Sequence, residues 1–199
     1  MSSKIRTAKA SDGPALAAIY APYTETVLTF EYPAPTAEEF ARRVETVTAE
    51  YPFLVCEQEG RPVGYAYAHR YRERAAYDWD AELSVYLEAG NTGKGIGRAL
   101  YRALLDILYM QGYINIYGTV SVPNPASEGL HESLGFRRVY TDEKTGWKFG
   151  RWLDLAFYRL QLRPYADEPE RVTRFPELDE AKVAKACMER AKEIGETRR

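Results

Sequence analysis

The sequence predicts an α+β domain, or a three-layer α/β one, with a mixed central sheet flanked by helices and a helical extension behind it. Three observations carry this. Periodic segments follow the order β-α-α-β-β-β-α-β-α-β-β. One mid-chain strand runs straight into a glycine-rich loop and a strongly amphipathic helix. A charged, proline-containing run at 164–176 then separates this pattern from a last helical segment.

Residues 4–9 alternate and read as the first strand. Ser11 or Asp12 caps a helix over 13–23, with Leu16, Ile19 and Tyr20 on one face. Residues 26–34 are loop-like and carry the aromatic pair Phe30 and Tyr32. Thr36 and Glu39 match a capping box, and Phe40, Val44 and Val47 mark the helix behind it. Residues 52–57 and 63–70 form a strand pair around the turn at 58–61. Residues 81–87 are a further strand, ending just before the glycine loop. In the helix over 95–111, Ile96, Leu100, Leu104 and Leu108 recur four apart, and Gly112 stops it. Residues 113–120 make a strand. Asn124 caps a short helix that Pro125 begins and Gly135 ends. Residues 136–140 and 148–162 close the sheet as a strand pair around a turn at 142–146. The expected organisation is therefore a domain at 1–163, then a linker and helical extension at 164–199. That last helix, over 177–194, has a thin apolar stripe and is expected to need a partner surface.

Composition narrows the function. The chain has 199 residues, with 27 basic and 29 acidic side chains and a net charge of -2. That balance argues against nucleic acid or an anionic membrane as the main partner. Cys56 and Cys187 lie far apart without CxxC partners, which suits a reduced cytoplasmic protein. No apolar run reaches membrane-spanning length, and the first residues lack the apolar core of a secretory signal. His69 and His131 lack ligand spacing, so no metal site is expected; His131 reads first as a structural histidine and second as one that faces a ligand beside the short helix after Asn124.

The most informative stretch joins Val85, Tyr86 and Leu87 to Gly93, Lys94, Gly95, Ile96, Gly97 and Arg98. Glycines let main-chain N–H groups approach an anion closely. The helix start adds unpaired donors and a partial positive charge. Together they make a pyrophosphate cradle, to which Lys94 and Arg98 add charge. A dinucleotide fingerprint would need glycine where Arg98 stands and would normally follow the first strand. A P-loop would need a Gly-Lys-Ser/Thr ending, which is absent.

This stretch resembles the acetyl-CoA motif of the GNAT acetyltransferases, Gln/Arg-x-x-Gly-x-Gly/Ala, with Thr92 in place of the usual Arg or Gln. The resemblance spans residues 5–162 and includes Asn124-Pro125-Ala126-Ser127 and 130–136. Three further segments, 51–55, 76–82 and 148–154, resemble the branch acting on phosphinothricin and methionine sulfoximine. The resemblance implies the GNAT fold, acetyl-CoA as co-substrate, no metal, and a small amino-acid-like amine as acceptor. It also implies a homodimer and places Asn124 and Ser127 beside the cofactor arm.

Acetyl transfer needs an amine stripped of its proton and a donor for the acyl oxygen. Glu82 is the expected base, from its place among apolar strand residues and from the resemblance. The N–H of Val85 or Leu87 is the expected donor to the oxygen. Tyr101 is a candidate to protonate the leaving thiolate, with Tyr117 and Tyr140 as competitors. Arg72 and Arg74 are expected to fork onto the acceptor's carboxylate. Phe30 would wall its side chain and Lys148 would reach its far end. The rival readings are a protein or peptide N-acetyltransferase, which wants an open groove, and a non-catalytic acetyl-CoA-binding module, which would not need Glu82.

Overall fold

The computed structural model describes residues 3–195. Seven strands form one sheet: β1 (Ser3–Thr7), β2 (Phe53–Gln58), β3 (Arg61–Arg70), β4 (Asp80–Leu87), β5 (Asn115–Val122), β6 (Arg137–Lys148) and β7 (Arg151–Gln161). Their spatial order is β1-β2-β3-β4-β5-β7-β6. Every neighbouring pair is antiparallel except β4 and β5. The helices are α1 (Gly13–Thr24), α2 (Ala37–Thr48), α3 (Ile96–Gln111), α4 (Pro125–Ser133) and α5 (Glu180–Ala191).

The two-residue side-chain period of the strands divides the core. On β2 and β3, Phe53, Val55 and Tyr65 face α1 and α2, where Leu16, Ile19, Phe40 and Val44 close over them. The alternate residues Leu54, Cys56, Ala66 and Ala68 face α3. Leu100, Leu104, Ile107 and Leu108 of α3 are fully buried there. Each contributes roughly 1.5–3 kcal/mol by leaving water.

The capping box at α2 forms as expected: Glu39 N–H donates to Thr36 Oγ1 (3.2 Å) and Thr36 N–H donates to Glu39 Oε2 (2.7 Å). At α1 the expectation fails in detail. Asp12 occupies the N-cap position without a side-chain bond into the helix. Its carboxylate instead accepts from Lys9 N–H and from both terminal nitrogens of Arg6, at 2.8 Å each. A charge-assisted pair outcompetes a capping bond.

The closing hairpin also differs. Its turn lies at Phe149–Gly150, both with positive φ (49° and 74°), and not at 142–146. That polar run is part of β6, where a register shift between Asp142 and Gly146 absorbs the extra residues.

The expected extension helix starts three residues later than its sequence pattern, with Asp179 capping it through Ala181 N–H (2.9 Å). Val183, Ala186 and Cys187 of α5 share the core under α3 and β1. The run before α5 is strapped to the domain. Thr173 N–H donates to Gln111 O (2.8 Å), Phe175 N–H to Glu50 O (3.0 Å) and Trp79 Nε1 to Glu170 O (2.8 Å).

Candidate active site

The site begins where two strands part. β4 and β5 pair only over Asp80–Leu83 and Asn115–Gly118. Beyond that point β4 stays with β3 as far as Leu87, and β5 stays with β7 as far as Val122. A wedge opens between them. Main-chain groups alternate sides along an antiparallel ladder. Glu88 N–H donates to Val63 O on the β3 side (2.9 Å). Glu82, Ser84 and Tyr86 therefore direct their main-chain groups at β3, and Val85 and Leu87 direct theirs into the wedge.

The wedge is the floor of a cavity of about 380 Å³. It is lined by Leu83 to Leu87, by Thr92, Gly93, Gly95, Gly97, Arg98 and Tyr101 from the loop and α3, and by Thr119 to Ser121, Asn124, Ser127 and His131 opposite. Tyr23 and Leu28 close one side. Of the sequence-predicted residues, Val85, Tyr86, Leu87, Gly93, Gly95, Gly97, Arg98, Tyr101, Asn124 and Ser127 thus come together here.

The loop has the features an anion cradle needs. Gly93 and Gly95 adopt positive φ (76° and 84°), open to glycine without strain. Gly95 is the N-cap of α3 and offers no side chain to the first-turn N–H groups. Those donors are left for a ligand. Asn124 caps α4 by accepting from Ser127 N–H (3.3 Å), which sets that helix start across the cavity from the loop. The residues fit the pyrophosphate and pantetheine of acetyl-CoA.

Ile96 is fully buried in the core, so it can serve the cradle only through its main-chain N–H, as the expected cradle requires. Three expectations need correction. Lys94 does not line the cavity; its ammonium donates to Asn91 Oδ1 (3.0 Å). Leu87 N–H is already engaged by the Tyr23 hydroxyl (3.1 Å), which also donates to Leu87 O (2.8 Å). Of the two expected donors, Val85 N–H is the one that remains directed into the wedge. Lys148 is buried, at 3% exposure, and donates to Thr29 O (2.8 Å) and Glu31 O (3.3 Å). It ties the loop after α1 to β6 and does not present its charge to an acceptor.

Glu82 sits at the apex of the wedge, in the last paired stretch of β4, opposite His69 and Tyr117. It is half-buried, and its carboxylate makes no hydrogen bond or ion pair among the described residues. Burial first, and then the Glu82 charge, push the Tyr101 hydroxyl well up. That hydroxyl donates to Leu83 O (3.4 Å). Tyr101 therefore holds its proton tightly and is better suited to donating a hydrogen bond than to releasing a proton.

On the acceptor side, the Arg72 guanidinium lies over the rings of Tyr71 and Tyr77, 5.0 and 5.1 Å from their centroids. Tyr71 in turn stacks on Tyr117 at 3.8 Å. Tyr117 is the register partner of Glu82, so this stack leads from Arg72 to the face that carries Glu82. Arg74 is exposed at the start of the short helix Ala75–Tyr77 and makes no ion pair among the described residues. Phe30 packs against Gly146 of β6. Glu82, Arg72, Arg74 and Phe30 all lie outside the cavity lining itself.

Sequence reasoning missed Tyr23 and gave the ligand-facing alternative at His131 second place. Tyr23 was only the end of an amphipathic helix, and nothing local marks its reach to β4. His131 is 2% exposed, boxed by Tyr101, Phe136 and Tyr158, with Nδ1 2.8 Å from Ser127 O. Nδ1 therefore carries the proton, and Nε2 is a buried acceptor without a partner. Burial pushes this ring's pKa down. The spacing from Ser127 hints at the Nδ1 bond, but the bare Nε2 is a product of tertiary packing. Among the described residues no cluster of three or more His, Cys, Asp or Glu side chains is placed to hold a metal ion.

A seven-stranded mixed sheet, splayed beside a glycine cradle at a helix start, defines an acyl-CoA-binding transferase fold. The acetyltransferase (GNAT) domain family matches residues 5–157, and the chain belongs to that family as an acetyl-CoA-dependent N-acetyltransferase. It is 36% identical over 157 residues to phosphinothricin N-acetyltransferase of Streptomyces viridochromogenes, covering 78% of this chain and 86% of that protein. It is 36% identical over 172 residues to the L-methionine sulfoximine/L-methionine sulfone acetyltransferase of Pseudomonas paraeruginosa, covering 85% of this chain and all of that protein. A phosphinothricin acetyltransferase from Sinorhizobium meliloti, solved in complex with acetyl-CoA, superposes with a TM-score of 0.81 at 36% identity, covering 85% of this chain and 94% of that one. Helix α5 lies outside the family match.

Proposed function

We propose that the chain moves the acetyl group of acetyl-CoA to the primary amine of a small amino-acid-like acceptor of the phosphinothricin or methionine sulfoximine type. The observation that carries this is the pairing of an uncompensated carboxylate, Glu82, at the wedge apex with Arg72 held over the stack that leads to it. One group suits an ammonium and the other a carboxylate, the two ends of an amino acid.

Acetyl-CoA supplies an activated thioester. The chain's residues do the rest. Glu82 takes the proton of the acceptor ammonium, directly or through water, freeing the nitrogen to attack the acyl carbon. Val85 N–H donates to the acyl oxygen as charge builds on it. As the C–N bond forms and the C–S bond breaks, the nitrogen releases its second proton to solvent, and Tyr101 turns its hydroxyl from Leu83 O to the departing thiolate, which takes up a proton from solvent. Arg72, with Arg74 nearby, holds the acceptor carboxylate. Much of the acceleration comes from holding both reactants in one place.

The working form is a homodimer in the cytoplasm. Support for association comes from the β6–β7 arm at the sheet edge, where Trp147, Phe149 and Trp152 are 54–59% exposed. Support for a reducing compartment comes from Cys56 and Cys187, both buried as free thiols.

Arg72→Ala tests the acceptor assignment. Losing one charge-assisted contact should raise the acceptor KM by roughly one to two decades and leave the acetyl-CoA KM alone. An unchanged acceptor KM would remove Arg72 from the acceptor site.

A further inference from the structure

The three alternating glycines that make the cradle also make it loose, because glycine loses more backbone freedom on ordering than any other residue. Something must hold the loop in its ligand-ready shape. Its own side chains contribute the Lys94–Asn91 bond (3.0 Å). The C-terminal extension contributes more. After α5 the chain turns and lays its main chain on the loop. Gly195 N–H donates to Lys94 O (3.2 Å). A Cβ built on Gly95 would stand 3.7–3.9 Å from main-chain atoms of Glu193, Ile194 and Gly195.

This contact is anchored. Arg190 grips Asp106 of α3 through two bonds (2.6 and 3.0 Å), and Glu193 accepts from Arg102 of α3 (2.9 Å) and from Arg190 (2.7 Å). The charged groups on the tail thus fix it to the same helix whose N-terminus the cradle forms.

The geometry of the peptide unit gives the contact a consequence. In a trans peptide the C=O and the following N–H point in opposite directions. With Lys94 C=O held toward Gly195, the Gly95 N–H is turned away from the tail, toward the cavity that Gly95 lines. Gly95 O is fixed in turn as the acceptor of Ala99 N–H (2.9 Å).

From this we infer that the end of the extension is a positioning element for acetyl-CoA: it selects the peptide orientation at Lys94–Gly95 that presents a donor to the pyrophosphate. This rests on the cradle being the cofactor site. It adds a binding role to the expectation that the extension needs a partner surface.

The test compares a chain ended after Ala191, a full-length Glu193→Ala variant and Gly97→Glu, which blocks the cradle. Coenzyme A affinity is measured by calorimetry, and amide hydrogen exchange is followed over residues 93–99 without ligand. If the latch sets the competent population, freeing it to about one tenth competent raises the coenzyme A Kd about ten-fold. The Ala99 amide, whose acceptor is Gly95 O, should exchange faster in both tail variants, and the acceptor KM should not move. Glu193→Ala keeps the test sound if the shortened chain folds poorly. Wild-type affinity and exchange in a folded tail variant, with binding lost in Gly97→Glu, would overturn the inference and leave the cofactor site standing. Normal binding in Gly97→Glu would overturn both.

Discussion

Glu82 is a half-buried carboxylate with no cation set against it among the described residues, at the point where β4 leaves β5. A carboxylate in that position is open to an incoming ammonium. Glu82→Gln should keep the fold and coenzyme A binding while lowering turnover by roughly 10²–10⁴-fold, the usual size of a lost general base. Steady-state rates beside a calorimetric titration check this, and normal turnover at neutral pH would place the base elsewhere. Asp12 shows the opposite condition. Its burial raises the carboxyl pKa, but the Arg6 hydrogen bonds, the Lys9 N–H and the Arg6 charge outweigh burial and hold it below its ordinary value. A depressed folded pKa gives stability that is present above the unfolded pKa and lost as pH falls through the folded one. Asp12→Asn should therefore cost about 2 kcal/mol at neutral pH. The difference from wild type should shrink below about pH 4, where the unfolded carboxyl protonates. Urea melts at a series of pH values measure it.

The proposed cofactor cradle and α3 form one element. A Cβ on Gly97 would meet Leu130, Leu87 and Val85 side-chain atoms at 3.6–3.8 Å, all in the cavity wall. Gly97→Glu should therefore fill the wedge and set a carboxylate against phosphate, abolishing coenzyme A binding in a protein that still folds by circular dichroism. Unchanged affinity would remove the cradle from the cofactor site. This element was legible in the sequence because its signals are local: a strand, alternating glycines, and apolar residues four apart. The Thr36–Glu39 box and the Gly112 helix stop, at φ 100°, were legible for the same reason. The hairpin turn was not. Asp142 to Gly146 has turn composition but sits on an edge strand, where exposed polar residues are equally at home. Phe149 adopts a positive φ that a phenylalanine does not advertise. Lys148 read as a cation for the far end of the acceptor because its burial depends on Thr29 and Glu31, more than a hundred residues earlier. Tyr23 on Leu87 and Gly195 on Lys94 are likewise long-range contacts with no local pattern.

At the scale of the molecule, the two ends of the sheet have different coverings. The β1 edge lies under α5, whose Val183, Ala186 and Cys187 complete the core. The β6–β7 end carries Trp147 of β6 and Trp152 of β7 in an edge-on contact (5.3 Å between ring centroids), both largely in solvent. A second copy covering this arm would account for them. Trp152→Glu should then shift sedimentation toward the monomer without unfolding the domain; a wild-type protein that sediments as a monomer would contradict the dimer. The fold, the wedge and the two-ended acceptor site converge on one activity, which is directly measurable. The protein is incubated with acetyl-CoA and, separately, methionine sulfoximine, phosphinothricin, a polyamine and a short peptide. Release of free thiol and the mass of the product are followed. The account predicts N-acetylation of the two amino-acid analogues at rates above the others. A polyamine or peptide acetylated faster than both analogues would contradict it.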